Sequence, residues 1–454
     1  MSVARITKLF LTEFKSFQDE ILPLDDLTVL TGLNSSGKSN ALDGLDVLAR
    51  LATGDELGEA LDGRRRGIGP VRGGSAGCAP HGSDRFTLGC EVELDDAASS
   101  RYRYEVTILA RPELRVIQER LHGPGRNAKS GTTTDRDLVW AANDGEDGSP
   151  GIAARIDNGK RGQNPAEFFR DSRLVLTQVA VRLPGKNLVE RAVLRAVDAV
   201  VSPLRTVFEL DPVPSVMRGY SSRKDVALKR DGSNFSAAIG HLQQTDPQRA
   251  QNVIDSIKKI AANAVTDTRM ETSTLDDVMF SLVEGDEVTP AREMSDGLLR
   301  FAAVATALQS GAQDLDVDTE DDILAVASPQ QEQVDGRILM VIEEIENGLH
   351  PSQARLVLDM LRRSTEESGL QIALTTHSPA ILDVLTGVLN SSIIVCYRGD
   401  DGHSCLSRLT DLEGYAAAMA HGQIGELVTR SELIRPAEPR NTDPLDFLDR
   451  IGAR

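Results

Sequence analysis

Three short apolar runs, each ending in a polar loop, predict an α/β fold. Leu27-Thr28-Val29-Leu30 has the composition of a buried strand and runs into GLNSSGKS, residues 32–39, after which Leu42, Leu45, Leu48 and Ala52 recur at helical spacing. Ile338-Leu339-Met340-Val341-Ile342 runs straight into Glu343, Glu344 and Glu346. The stretch QIALTTHSPAILD, residues 371–383, reads as a buried strand ending in Thr375-Thr376-His377-Ser378-Pro379.

The first of these loops fits GxxxxGK[ST] at every fixed position. Strand, glycine-rich turn and helix together form a phosphate cradle, because backbone N–H groups and the helix N-terminus face the anion. Gly32 and Gly37 permit the close approach of backbone to phosphate. Asn34, Ser35, Ser36 and Asn40 complete the loop, Lys38 reaches the β and γ phosphates, and the Ser39 hydroxyl ligates magnesium. The expected ligands are therefore ATP and Mg²⁺. Carboxylates as close as Glu343, Glu344 and Glu346 repel one another unless a positive charge is bound nearby. A nucleotide-bound Mg²⁺ held at Glu343 supplies that charge, and Glu344 is then free to act as general base on the attacking water. Glu346 reads as structural or regulatory. A neutral His377 at a strand's C-terminal end can hydrogen-bond a γ-phosphate. A fourth element, REMSDGLLRFAAVATAL (residues 292–308), opens a helix at Ser295-Asp296-Gly297, with Leu298, Phe301, Ala302 and Ala305 on one face. That helix start is a second anion site in a chain that already has one, which suggests the nucleotide of a second subunit.

Elsewhere the patterning is plainer. Phe86, Leu88, Cys90, Val92 and Leu94 alternate inward, Tyr102, Tyr104, Val106 and Ile108 repeat the period, and with residues 114–121 they predict an antiparallel β meander. Residues 142–163, rich in Gly, Asp, Asn and Arg, read as an exposed loop. Residues 187–265 are mostly helical in pattern, broken by prolines at VFELDPVPSVMRGYSSRKD. They carry neither sustained heptads nor a CxxC pair, which excludes long coiled-coil arms. Residues 311–322, GAQDLDVDTEDD, read as an acidic surface loop. Asp400-Asp401 in YRGDDGH reads as a hairpin turn.

A net charge of -19 disfavours a surface that coats polyanions. Nucleic acid would have to meet a local patch, either Arg64-Arg65-Arg66 with Arg72 or the stretch from Arg218 to Arg230 with Arg223, Lys224 and Lys229. Cys78, Cys90, Cys396 and Cys405 are scattered, which argues against a disulfide framework or a zinc site. No apolar run reaches membrane-span length and the N-terminus lacks a signal-peptide core, so a cytoplasmic protein without membrane contact is expected.

Taken together, the motifs resemble the ABC-type ATPase head shared by the SMC, RecF and OLD-like families. LTEFKSFQDEILPLDDLTVLTGLNSSGKSNALDGLDVL (residues 11–48) is similar to that group's FKSF strand and Walker A. MSDGLL takes the place of the signature motif, VIEEIENGLHP resembles the Walker B segment, THSP the switch histidine, and KRDGSNFSAAIGHL a DGxNL element of compact OLD-like ATPases. The resemblance implies a P-loop NTPase head with a mixed central sheet, an antiparallel β subdomain and a helical insertion. The expected division is residues 1–186 as the first half of the head, 187–265 as the insertion and 266–454 as the second half. It further implies a head-to-tail homodimer that clamps two ATP molecules, each between one chain's Walker A and the other chain's Ser295, Asp296 and Gly297. By position Glu343 is the Walker B acid, Glu344 the base, His377 the switch, and His350 stands at the D-loop position. Gln178, in RLVLTQVAVR, is taken as the Q-loop glutamine and a further Mg²⁺ ligand. Glu343 departs from the commoner Asp and Ile345 from the usual Pro.

The chain after His377 is too short for the Toprim nuclease of OLD enzymes, so no nuclease is expected in it. The function implied is an ATPase whose dimerisation controls a separate effector, a nuclease or toxin in bacterial antiviral defence. The alternatives are a RecF-like DNA-repair clamp and a nucleotide-gated scaffold that hydrolyses little.

Overall fold

The computed structural model describes residues 2–63, 69–96, 98–143, 151–160, 162, 164–261, 264–317, 334–385, 389–412, 415 and 425. Arg64, Arg65 and Arg66 lie outside these residues, as does the acidic loop from residue 318 onward.

Two large sheets pack against a shared helix layer. The first has nine strands: β1 (Ser2–Phe14), β2 (Phe17–Pro23), β4 (Arg85–Leu94), β5 (Arg101–Leu109), β6 (Arg115–Arg126), β7 (Thr133–Ala142), β8 (Ile152–Ile156), β9 (Ala166–Phe169) and β15 (Val334–Gly336). From β4 to β9 every pairing is antiparallel. The expected meander is therefore present, and longer than predicted. Phe86, Leu88, Cys90 and Val92 are fully buried, as their alternation demands. The residues read as an exposed loop, 142–163, instead contain β8, whose Ile152, Ala154 and Ile156 turn into the core. Alternation over so few residues was masked by the surrounding Gly and Asp.

The second sheet runs β10 (Val207–Leu210), β16 (Leu339–Ile342), β17 (Gln371–Thr375), β3 (Leu27–Thr31), β18 (Ile393–Arg398) and β19 (Ser404–Arg408). All its pairings are parallel except the β18–β19 hairpin. Every residue of β3, β16 and β17 is buried, as expected of parallel strands covered on both faces. Helix α1 (Lys38–Ala52) sits between the sheets: Leu42, Leu45 and Leu48 join the core that Leu9, Leu11 and Leu88 contribute from the first sheet. Gly44 allows the close packing there, since a Cβ would lie 2.7 Å from the end of the Leu11 side chain, which would have to shift.

Residues 187–265 do not form an insertion set apart from the head. Helix α4 (Leu188–Arg205), which follows α2 (Leu57–Asp62) and α3 (Val175–Arg182), buries Val193, Val197 and Val200 in the same core as the nine-stranded sheet. Strand β10 is the edge of the P-loop sheet, paired with β16 from Val207 to Leu210. The region beyond it holds α5 (Pro214–Met217), α6 (Phe235–Thr245) and α7 (Pro247–Ile260). These pack with a small sheet of β11 (Ser221–Ser222), β12 (Asp267–Thr272), β13 (Asp277–Glu284) and β14 (Glu287–Pro290), and with α8 (Asp296–Gln309). Among the described residues no helix is long and apolar enough to cross a membrane.

Candidate active site

The strand order explains how the separate motifs meet. β17 lies between β3 and β16, so the C-terminal ends of three neighbouring parallel strands deliver the glycine-rich loop, the switch segment and the acidic segment to one edge. Thr31, Gly32, Leu33, Asn34, Glu344, Glu346, Asn347 and His377 line a cleft of 390 Å³ there.

The loop's glycines are conformationally necessary. Gly32 has φ 140° and Gly37 φ 119°, and Ser35 is forced to φ 64°. A Cβ on Gly32 would stand 2.0 Å from the Cys396 carbonyl oxygen, and one on Gly37 2.4 Å from Ser404 Oγ. The hairpin β18–β19 is thus pressed against the loop and holds it. Cys396 Sγ donates to the Ser36 carbonyl at 3.3 Å, Ser404 Oγ to the same carbonyl at 2.5 Å, and Arg398 Nε to the Ser35 carbonyl at 3.1 Å. Asn40 Nδ2 donates to Ser16 Oγ at 2.8 Å, which ties the FKSF turn to the start of α1. None of these braces except the FKSF stretch carries a signal in the sequence, because their partners come from the far end of the chain.

Lys38 is buried and its Nζ donates to the carbonyls of Gly32, at 3.0 Å, and Leu33, at 2.9 Å. Burial lowers its pKa, while Cys396 and the carboxylates of Glu344, Glu346 and Glu343 pull the other way. Ser39 Oγ donates to Glu343 Oε2 at 2.6 Å, so the two side chains expected to share a metal are in direct contact. The other oxygen of Glu343 accepts from Arg72 Nη2 at 2.8 Å, and Arg72 also lies 3.7 Å from Asp43. Arg72, expected in a nucleic-acid patch, therefore serves the acidic cluster instead.

Glu344 sits at φ 50°, a left-handed conformation that costs a non-glycine residue about 1 kcal/mol. Its N–H donates to Thr375 Oγ1 at 2.8 Å, and Asn347 Nδ2 donates to its Oε2 at 2.6 Å. Glu346 Oε1 accepts the His377 backbone N–H at 2.5 Å, so the third carboxylate fixes the switch segment. The His377 imidazole has a lowered pKa, first from burial and then from Lys38, which favours its neutral form.

Ser295 caps α8, its Oγ accepting from Leu298 N at 3.3 Å, and Asp296 pairs with Arg218 at 2.6 Å. Gly297 rests on Gly348, where a Cβ would lie 1.9 Å from the Gly348 oxygen. No hydrogen bond or ion pair joins residues 295–297 to residues 32–40 among the described residues. His350, expected at the D-loop position, caps the next helical turn by accepting from Ser352 N.

Gln178 is not brought to this site, which corrects its expected role. It lies on α3, where its side chain accepts from Arg170 N at 3.1 Å and donates to the carbonyls of Arg170, Arg173 and Leu174. Ser172, just before that helix, pairs with Leu57 beyond the far end of α1, a 15-residue helix spanning roughly 20 Å from the glycine loop. In the second basic stretch Lys224 is exposed, and the other four cations are ion-paired within the chain. Arg218 pairs with Asp296, Arg223 with Asp276, Lys229 with Asp225, and Arg230 with Asp46 and Glu209.

The residues suit a magnesium nucleotide on grounds internal to the structure. Ser36 Oγ and Glu346 Oε2 are buried without a hydrogen-bond partner, Lys38 turns back onto its own loop carbonyls, and the cradle leaves no room for a Cβ at Gly32 or Gly37. The parallel sheet, its glycine loop and the acidic segment at one edge make this a P-loop nucleotide-binding head. The chain belongs to the family described as "AAA domain, putative AbiEii toxin, Type IV TA system", which matches residues 27–383.

Among solved structures it is similar to an SMC head bound to the C-winged helix domain of ScpA, at 13% identity and TM-score 0.42, covering 89% of this chain and 97% of that one. It is also similar to the SMC head domain from Thermotoga maritima, at 13% identity and TM-score 0.36, covering 89% and 98%. A third is the Smc head domain with a coiled coil and joint from Pyrococcus yayanosii, at 10% identity and TM-score 0.42, covering 93% and 100%. No curated protein matches the chain.

Proposed function

We propose that the chain is an ATP-hydrolysing enzyme in which two copies close head to tail on two nucleotides, and that this closure controls a separate effector. The observation that carries the reading is the convergence of Lys38, Ser39, Glu343, Glu344 and His377 on one sheet edge. Backbone N–H groups of residues 34–39 and the Lys38 ammonium hold the phosphates of the substrate, and Ser39 and Glu343 hold Mg²⁺. Bound there, Mg²⁺ would neutralise charge on the transferring phosphoryl group. Glu344, fixed by Thr375 and Asn347, orients a water and accepts its proton. Neutral His377, positioned through Glu346, donates to the terminal phosphate.

The Ser295–Gly297 helix start, where Ser295 and Asp296 are exposed and have no hydrogen bond or ion pair to the chain's own P-loop among the described residues, supports the two-chain arrangement. Its backing by Gly348 gives the facing surface a fixed shape. The words toxin and TA system in the family's description support a place in such a system; the separate effector we propose is a nuclease or toxin, and the setting bacterial antiviral defence.

Glu344→Gln tests the reading. Phosphate release should fall by about 10²-fold or more, because only the proton acceptor is lost. ATP retention should persist, and native mass measurement with ATP and Mg²⁺ should find the variant as a dimer. Hydrolysis at the parent rate would remove Glu344 from the reaction, and a monomer under those conditions would remove the two-chain arrangement.

A further inference from the structure

We infer a second anion-binding site, separate from the glycine loop, in the cleft between the start of α4 and the corner of the nine-stranded sheet. The cleft measures 840 Å³ and is lined by four arginines, Arg101, Arg126, Arg191 and Arg195, against two carboxylates, Asp96 and Asp135. None of its residues belongs to the catalytic cleft. In a chain of net charge -19, that local excess of cations runs against the surface as a whole.

The pairing of these groups separates structural from available charge. Arg195 is spent on Asp96, at 3.0 Å, and on Ser2 Oγ, at 3.2 Å. Arg101 is spent on Glu93, at 3.1 Å. Asp96 is further satisfied by Ser100 and Ala98, and its pKa is held low by hydrogen bonds from both residues and by Arg195 despite its burial. Arg126 and Arg191 have neither ion pair nor side-chain hydrogen bond to any described residue.

Two free guanidinium groups in one concave site match clustered phosphate oxygens, which they can grip bidentately. Asp135, also without an ion-pair partner among the described residues, offers an acceptor for a hydroxyl or amino group on the same ligand. The volume falls within the usual range for small-molecule sites, roughly 300–1,000 Å³. The ligand class is thus a nucleotide, either free or as the terminal unit of a strand.

The test uses the full chain carrying Lys38→Ala, so that binding at the glycine loop does not contribute. Isothermal titration is run with ATP in one arm and a single-stranded DNA 12-mer in the other. Saturable binding in either arm is expected, weakened roughly tenfold or more by Arg126→Ala with Arg191→Ala and partly kept by the Lys replacements. The arm that binds identifies the source of the phosphate. An unchanged melting temperature in the double variant shows that the loss is not unfolding. If neither probe binds, or binding is indifferent to both arginines, the site is refuted.

Discussion

Glu119, inside strand β6, and Glu343, one residue past the end of β16, are both hydrogen-bonded carboxylates, and they are treated in opposite ways. Glu119, on β6, is fully enclosed and has every near donor directed at it. Val175 N donates at 2.6 Å, Leu176 N at 2.7 Å and the Tyr104 hydroxyl at 2.9 Å. It is a structural clasp that fixes the first turn of α3 to the antiparallel lobe, and burial pushes its pKa up to about 7. Glu343 has one oxygen on the small hydroxyl of Ser39 and the other on Arg72, whose side chain is 55% exposed and free to leave. A carboxylate meant to hold the fold is saturated by groups that cannot move. One meant to exchange ligands is met by groups that can.

Substitution separates the two roles. The largest effect is expected at Glu343→Ala, where loss of the metal-facing carboxylate should cut Mg²⁺-dependent hydrolysis by about 10²-fold or more while leaving the melting temperature near that of the parent. A large loss of stability would make Glu343 a second clasp. Glu119→Ala should do the reverse. Leaving two backbone N–H groups and a tyrosine hydroxyl buried and unpaired costs roughly 3 kcal/mol, read as a lowered urea midpoint.

The pH dependence follows with its sign. Glu119 has a folded pKa of about 7, raised from the model-peptide value of 4.5, so the folded chain binds the extra proton between those limits. The stability contribution is full below pH 4.5 and declines as pH rises to about 7, by something on the order of 3 kcal/mol in total. Urea titrations at pH 5 and pH 7.5 should show this decline in the parent and lack it in Glu119→Gln. Equal declines in both would assign it to other groups. The smallest effect is expected at Arg72→Ala. Removing a cation that competes for Glu343 should lower the Mg²⁺ concentration for half-maximal nucleotide retention roughly threefold. A raised requirement would mean that Arg72 assists the metal.

What the sequence made legible divides along the same line. The candidate-site cluster was readable because each motif is a contiguous strand-plus-loop, and strand, glycine turn and helix impose their own spacing on Gly32, Gly37, Lys38 and Ser39. Glu344 and His377 followed because a strand's C-terminal end is where such side chains emerge. Arg72, Cys396, Arg398 and Ser404 were not readable, since they reach the loop only through tertiary contacts that leave no local pattern. Gln178 was misplaced for a related reason. Its expected role came from the resemblance, whereas residues 175–182 form a helix whose first turn Glu119 holds. The strands β12 to β14 escaped notice because most side chains of β12 and β14 are not buried, so neither shows a clean apolar alternation.

The central claim is that the glycine loop, Lys38 and the acidic segment bind a magnesium nucleotide. Equilibrium binding of labelled ATP to the purified chain, with and without Mg²⁺, tests it most directly. Saturable, Mg²⁺-strengthened retention that Lys38→Ala abolishes is the predicted result. Retention of the same strength in Lys38→Ala, or none in the parent chain, would contradict it.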